Sequence, residues 1–150
     1  MRILAFSDLH LSERHARVLV EVSAEADLVI GAGDFCNARR GLDRAMALLD
    51  GLAAPLVAVP GNAESAEELR AAAPDATVLH GQGAMINGLR LFGLGGGVPV
   101  TPFGAWSYDL TEQEAEAMLA DSEDADILVT HSPPKGVADR TSAGLSVGSN

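Results

Sequence analysis

At 150 residues, with 47% hydrophobic side chains and a single cysteine, the chain suits one domain with its own core and excludes an internal disulfide framework. A formal net charge of −11 excludes a broad basic surface for DNA or RNA, because that affinity comes largely from Lys and Arg neutralising phosphates. No uninterrupted apolar run is long enough to cross a bilayer, and the opening MRILAFSDLH turns acidic too soon for a secretory signal peptide, so a cytoplasmic address is expected.

Residues 2 to 6 read as a buried strand. Ser12 or Glu13 opens a helix through about Ala24, with Val18, Leu19 and Val22 at helical spacing. Asp27 to Gly31 is the next strand. From Arg39 to Leu52 the apolar positions Leu42, Ala45, Met46 and Leu49 fit one helix face, and Pro55 to Val59 is again a short apolar strand. Ser65 begins a helix with Glu67 and Glu68 in its first turn, where the helix dipole favours negative charge, and Pro74 closes it. Asn87-Gly88 between apolar flanks is a type I′ hairpin signal, so this part of the sheet is expected to be antiparallel. A Gly-rich loop, GLGGGVPVTPFGAW, follows. Thr111 with Glu114 makes a capping box for a helix to about Ala120, the strand DILVT follows, and the remainder reads as loop.

Four of the apolar runs stop on a residue able to bind a metal: ILAF before Asp8 and His10, LVIGAG before Asp34, PLVAVPG before Asn62, and ILVT before His131. In a mostly parallel sheet the carboxyl ends of the strands lie along one edge, and ligands bind there. Each fragment alone is weak. D-x-H occurs often by chance, Gly-Asp is common in turns, Asn62 could equally cap the following helix, and His131 could be an ordinary satisfied histidine. The agreement of order, strand-end placement and chemical type is what points to a metal centre. Cys36 reads as a small residue packed beside Asp34. Phe103, Trp106 and Tyr108 cluster in the Gly-rich loop and could stack on an aromatic group or simply cover core. An acidic chain can process a phosphate ester if divalent cations supply local positive charge.

The succession D-x-H, GD, GN and a lone His after a strand resembles the calcineurin-like metallophosphoesterases, and the stretches GLGGGVPVTPFG and GLSVGS resemble their Icc-related branch. The resemblance implies an α/β (α+β) sandwich of mixed β-sheets flanked by helices. It implies that Asp8, His10 and Asp34 hold one divalent ion, while Asp34 bridges to a second held with Asn62 and His131. Two ions roughly 3.5–4 Å apart would activate a bridging hydroxide for in-line attack on a small phosphomonoester or phosphodiester. Mn, Fe, Zn or Ni suits such mixed imidazole and oxygen ligands. Asn37 and Asn62 are the candidate substrate-binding residues. Lys135 and Arg140 are available charges in a loop where solvated positions are the simpler reading.

Two departures from the family pattern stand out. Family members commonly read GNH followed by an acidic residue, whereas Ala63 and Glu64 stand here, so the proton donor to the leaving group is missing. General acid help is worth about 10²–10⁴-fold, which favours activated esters. The family also closes its centre with a G-H-x-H segment, and nothing after His131 is a histidine. His15 and His80 read as surface residues and poor substitutes. The chain is therefore expected to lack the C-terminal strands of the fold, as the N-terminal part of a longer protein or a truncated product, with an unfinished sheet edge that favours self-association. The competing reading is a catalytically impaired remnant serving as a binding or regulatory module.

Overall fold

Seven strands and four helices make up the computed structural model, which describes residues 1–150. In chain order they are β1 (Ile3–Phe6), α1 (Glu13–Ser23), β2 (Leu28–Gly31), α2 (Leu42–Ala47), β3 (Leu56–Ala58), α3 (Ala66–Ala72), β4 (Thr77–Val78), β5 (Gln82–Ile86), β6 (Leu89–Leu94), α4 (Glu112–Leu119) and β7 (Ile127–Thr130). The first sheet is parallel throughout, in the order β1-β2-β3-β4, as βαβ connections require. The second has the order β5-β6-β7.

The alternation of side chains along the strands separates two hydrophobic layers. Leu28, Ile30, Val57 and Val59 point from the first sheet towards Leu91 and Val129 of the second. Ala58 and Val78 point the other way, onto Ala16 of α1, Ala45 and Met46 of α2, and Leu69 of α3. Helix α4 covers the outer side of the second sheet through Ala115, against Leu94 and Val98. The result is the expected mixed sandwich, two sheets face to face with helices outside each.

Local chemistry explains most boundaries. Ser65 and Glu68 form a reciprocal capping box on α3, and Thr111 and Glu114 do the same on α4. Asn87 and Gly88 both take positive φ (50° and 83°), the geometry of a type I′ turn, and β5 and β6 pair antiparallel around them. Several expectations are corrected. The second sheet is mixed, because β6 also pairs parallel with β7, a pairing that the hairpin signal does not reach. In α1 the buried positions are Ala16 and Ser23, while Val18 and Val22 are exposed. Helix α2 is shorter than its apolar pattern suggests. Ala38, Arg39 and Gly41 all take positive φ, which a right-handed helix cannot use, so it begins only at Leu42. Strand β4 is two residues long and carries no periodicity to read. Strands β1 and β7 are sheet edges, with Ile3 and Leu128 exposed.

His80 also departs from the surface role expected of it. Its Nδ1 accepts from the Gly95 backbone N–H (3.1 Å), so the proton sits on Nε2 and is donated to the Tyr108 hydroxyl (3.0 Å). The neutral ring satisfies both neighbours. Burial, with the positive charge of Arg70, holds its pKa below the ordinary value of 6.5. The unfolded chain therefore takes up a proton that the fold rejects, and this contribution to stability is full above about pH 6.5 and lost as the pH falls through and below it. His80→Gln preserves an acceptor for Gly95 and a donor for Tyr108 without the titration. Denaturation midpoints measured from about pH 7.5 to about pH 5.5 should fall further in the wild type than in this variant.

Candidate metal centre

The loops after β1 and β2 continue side by side beyond the strands. The N–H groups of Asp8, His10 and Leu11 donate to the carbonyls of Gly33, Asp34 and Phe35 at 2.9–3.0 Å. Leu9 is buried in the core, so Asp8 and His10 on either side of it turn outward together. Phe35 is likewise buried and anchors Asp34. Asp8, His10 and Asp34 all sit at positive φ (54°, 45° and 56°), a conformation held by the surrounding bonds rather than by residue preference. Gly33 and Gly61 meet where the second and third loops cross. A Cβ on Gly33 would lie 2.5 Å from Gly61 backbone, and one on Gly61 would run into the Asp34 carboxylate.

One buried side chain ties these loops together. Glu64 accepts through Oε1 from the N–H groups of Asp34 (2.8 Å) and Gly61 (2.7 Å), and through Oε2 from those of Phe35 (3.2 Å) and Cys36 (3.3 Å). Burial pushes its pKa up and the Asp34 charge adds to this, against the backbone donors that lower it. Every partner donates, an arrangement that the ionised carboxylate satisfies in full. The Cys36 thiol donates to the Ala63 carbonyl, and burial, followed by the Glu64 charge, pushes its pKa up to about 12. Cys36 is thus an inert packed residue, as expected, and not a ligand or nucleophile.

Above this support, Asp34 directs Oδ1 at His131 Nε2 (3.6 Å) and Oδ2 at His10 Nε2 (3.6 Å), and Asp8 Oδ1 lies 3.7 Å from the same His10 nitrogen. The ligand atoms of Asp8, His10 and Asp34 all lie within 4.8 Å of one another. His10 Nδ1 donates to the Cys36 carbonyl (3.0 Å) and His131 Nδ1 to the Ala32 carbonyl (2.8 Å). A carbonyl can only accept, so each neutral ring carries its proton on Nδ1 and turns the bare Nε2 lone pair towards carboxylate oxygens. In that state lone pairs face lone pairs, and a cation between them relieves the repulsion. Two atoms each about 2.1 Å from one ion lie roughly 3–3.5 Å apart, close to these separations, and a backbone carbonyl holding the far ring nitrogen is the usual support of a metal-binding histidine. The residues present fit divalent cations.

Asn62 is not the cap of α3, a role Ser65 fills. Its Nδ2 donates to Ser107 Oγ (3.0 Å), leaving Oδ1 facing His131 Nε2 at 3.4 Å. Ser107 has only lone pairs to offer because it donates its own proton to Asp109 (2.7 Å), which also takes the Thr101 hydroxyl proton (2.8 Å). Asp109 thereby sets which end of the Asn62 amide faces the centre. This network and the role of Glu64 escaped the sequence reading. Glu64 stood there only as the acidic residue after Ala63, and no spacing links Asn62 to Ser107.

The remaining expected residues are dispersed. Asn37 stands exposed beside the centre with Nδ2 on the His10 carbonyl (3.4 Å). His15 pairs with Ser12, Lys135 with Asn150, and Arg140 with the Gly144 carbonyl. Phe103 and Trp106 stack on each other, whereas Tyr108 belongs with His80.

Two outcomes follow. In Glu64→Gln either amide orientation puts an NH₂ against two backbone N–H groups. Urea denaturation should show a loss of about 3 kcal/mol, and Mn²⁺ should bind more weakly although Glu64 touches no metal. Ser107→Ala releases the Asn62 amide. It should weaken Mn²⁺ binding by roughly 10–100-fold in a titration, with Ser107→Thr restoring it.

Comparison with known proteins adds the family. Two solved structures share the fold. TT1561 of Thermus thermophilus is 18% identical with a TM-score of 0.72, covering 91% of this chain and 69% of its own. A second structure is 20% identical with a TM-score of 0.76, covering 98% and 76%. A search of curated proteins returned no significant match. The family model for calcineurin-like phosphoesterases matches residues 1–148, and the chain belongs to that family.

Proposed function

We propose that the chain is a hydrolase of small phosphomonoesters or phosphodiesters, working at two divalent cations held by Asp8, His10, Asp34, Asn62 and His131. The family supports a metal-dependent phosphoesterase. The observation that carries the finer reading is Asp34, whose two oxygens face two different imidazole nitrogens, both proton-free in the neutral rings. A carboxylate so placed suits a bridge between Mn²⁺, Fe²⁺, Zn²⁺ or Ni²⁺ ions. When bound, such a pair makes water nucleophilic near neutral pH and offsets charge on the phosphoryl oxygens.

The chain's own residues would do the rest. His131 and Asp34 are largely shielded from solvent, while His10 and Asp8 are open, so the substrate approaches over Asp8. Asn62 offers its carboxamide oxygen, and Asn37, whose Nδ2 lies on the His10 carbonyl, is the candidate contact to the phosphoryl group. The histidine that would protonate the leaving oxygen in the family pattern is replaced by Ala63. Ala63 is a buried methyl, and the nearby hydroxyls of Ser107 and Thr101 already give their protons to Asp109. The leaving group must depart unaided. A binding or regulatory role is favoured by that missing donor and by the absence of a histidine after His131, and no turnover with substoichiometric metal would support it.

With Mn²⁺ added, bis(p-nitrophenyl) phosphate should be hydrolysed, and Asp34→Ala should lower kcat/KM by at least about 10³-fold. Rates across a series of esters should fall steeply as the leaving-group pKa rises, as expected without general acid help. Turnover that survives Asp34→Ala, or that ignores leaving-group pKa, would contradict the reading.

A further inference from the structure

Over the metal centre lies an open cleft of about 600 Å³, with Asp8, Asn62 and His131 on its floor. Its walls come from the loop before Trp106 and from the C-terminal loop, which bring Val100, Phe103 and Val147 to face it. These three side chains are 60%, 56% and 49% exposed and give one cleft an apolar wall in a chain of charge −11. Phe103 stacks one face on Trp106, with centroids 5.8 Å apart and planes inclined by 15°. Neither ring is buried, so the pair does not serve the core. No Lys or Arg lines the cleft, and Asp8 is its only acidic residue.

From this geometry we infer that the cleft is a subsite for a flat aromatic group carried by a substrate with a single phosphoryl centre. The inference rests on the phosphoesterase reading and specifies its substrate class. The floor supplies the only place where positive charge can be gathered, through cations. A second or third phosphate would extend along walls with no counter-charge, in the field of an acidic chain. An aryl or nucleobase group would instead cover exposed apolar surface and extend the existing stack, which offset aromatic pairs favour.

Trp106 is the only tryptophan and stacks on Phe103 of the wall, so its fluorescence reports on that wall through the stack. The probes are phenylphosphonate and methylphosphonate, each with one phosphoryl-like head and no leaving group. With Mn²⁺ present, phenylphosphonate should quench Trp106 and bind at least about tenfold more tightly than methylphosphonate. It should also inhibit hydrolysis competitively at the matching concentration. Phe103 is exposed, and Phe103→Ala should fold normally. That variant should bring the two affinities within about twofold by weakening phenylphosphonate alone. Equal affinities in the wild type, including no binding of either probe, would overturn the aromatic subsite. Hydrolysis of bis(p-nitrophenyl) phosphate in the same preparation separates the two failures. Turnover with equal affinities sinks only this inference, while absent turnover with the predicted binding difference sinks the phosphoesterase reading.

Discussion

The Glu64 carboxylate is the constraint on which the centre depends. It takes four backbone N–H groups, three from the loop after β2 and one from the loop after β3, and it does so with no exposure to solvent. Unpaired buried donors are costly, and a buried carboxylate without donors more so. Each makes the other tolerable. Together they fix the crossing of two chains that Gly33 and Gly61 allow to come into backbone contact. Asp34 is carried on one of those chains and Asn62 on the other. Their mutual position is therefore a property of the protein before any metal arrives.

Pre-positioning has a cost visible in the backbone. Asp8, His10 and Asp34 take left-handed conformations, each worth of order 1 kcal/mol or more of strain. The ladder from β1's loop to β2's loop and the burial of Leu9 and Phe35 hold them there. The rings of His10 and His131 are likewise turned by carbonyls of the β2 loop, those of Cys36 and Ala32. Strain, ring tautomer and carboxylate direction all converge on the same small volume. Such agreement of separate local devices suits a cation held among these side chains.

The candidate ligands are more legible in the amino-acid sequence than the support beneath them. Strand ends followed by Asp8, Asp34, Asn62 and His131 are legible because apolar runs and their polar termini are local patterns. The capping boxes at Ser65 and Thr111 and the Asn87-Gly88 turn were legible for the same reason. What was hidden depends on contacts between distant segments. Ser107 meets Asn62 across 45 positions, and Glu64 meets Asp34 across 30. Helix α2 was overestimated because Ala38 and Arg39 take positive φ, with the Arg39 N–H on the carbonyl of distant Ala63, a contact no local pattern announces. The exposed Val18 and Val22 show that apolar spacing alone did not say which side of α1 meets the sheet.

The central claim is that residues brought together by the Glu64-held loops surround two cations with Asp34 between them. Crystals soaked in Mn²⁺ and measured at the manganese absorption edge test it most directly. The account predicts two anomalous peaks roughly 3.5–4 Å apart, one nearest His10 and the other nearest His131, both touching the Asp34 carboxylate. A single peak, or peaks away from Asp34, would contradict it.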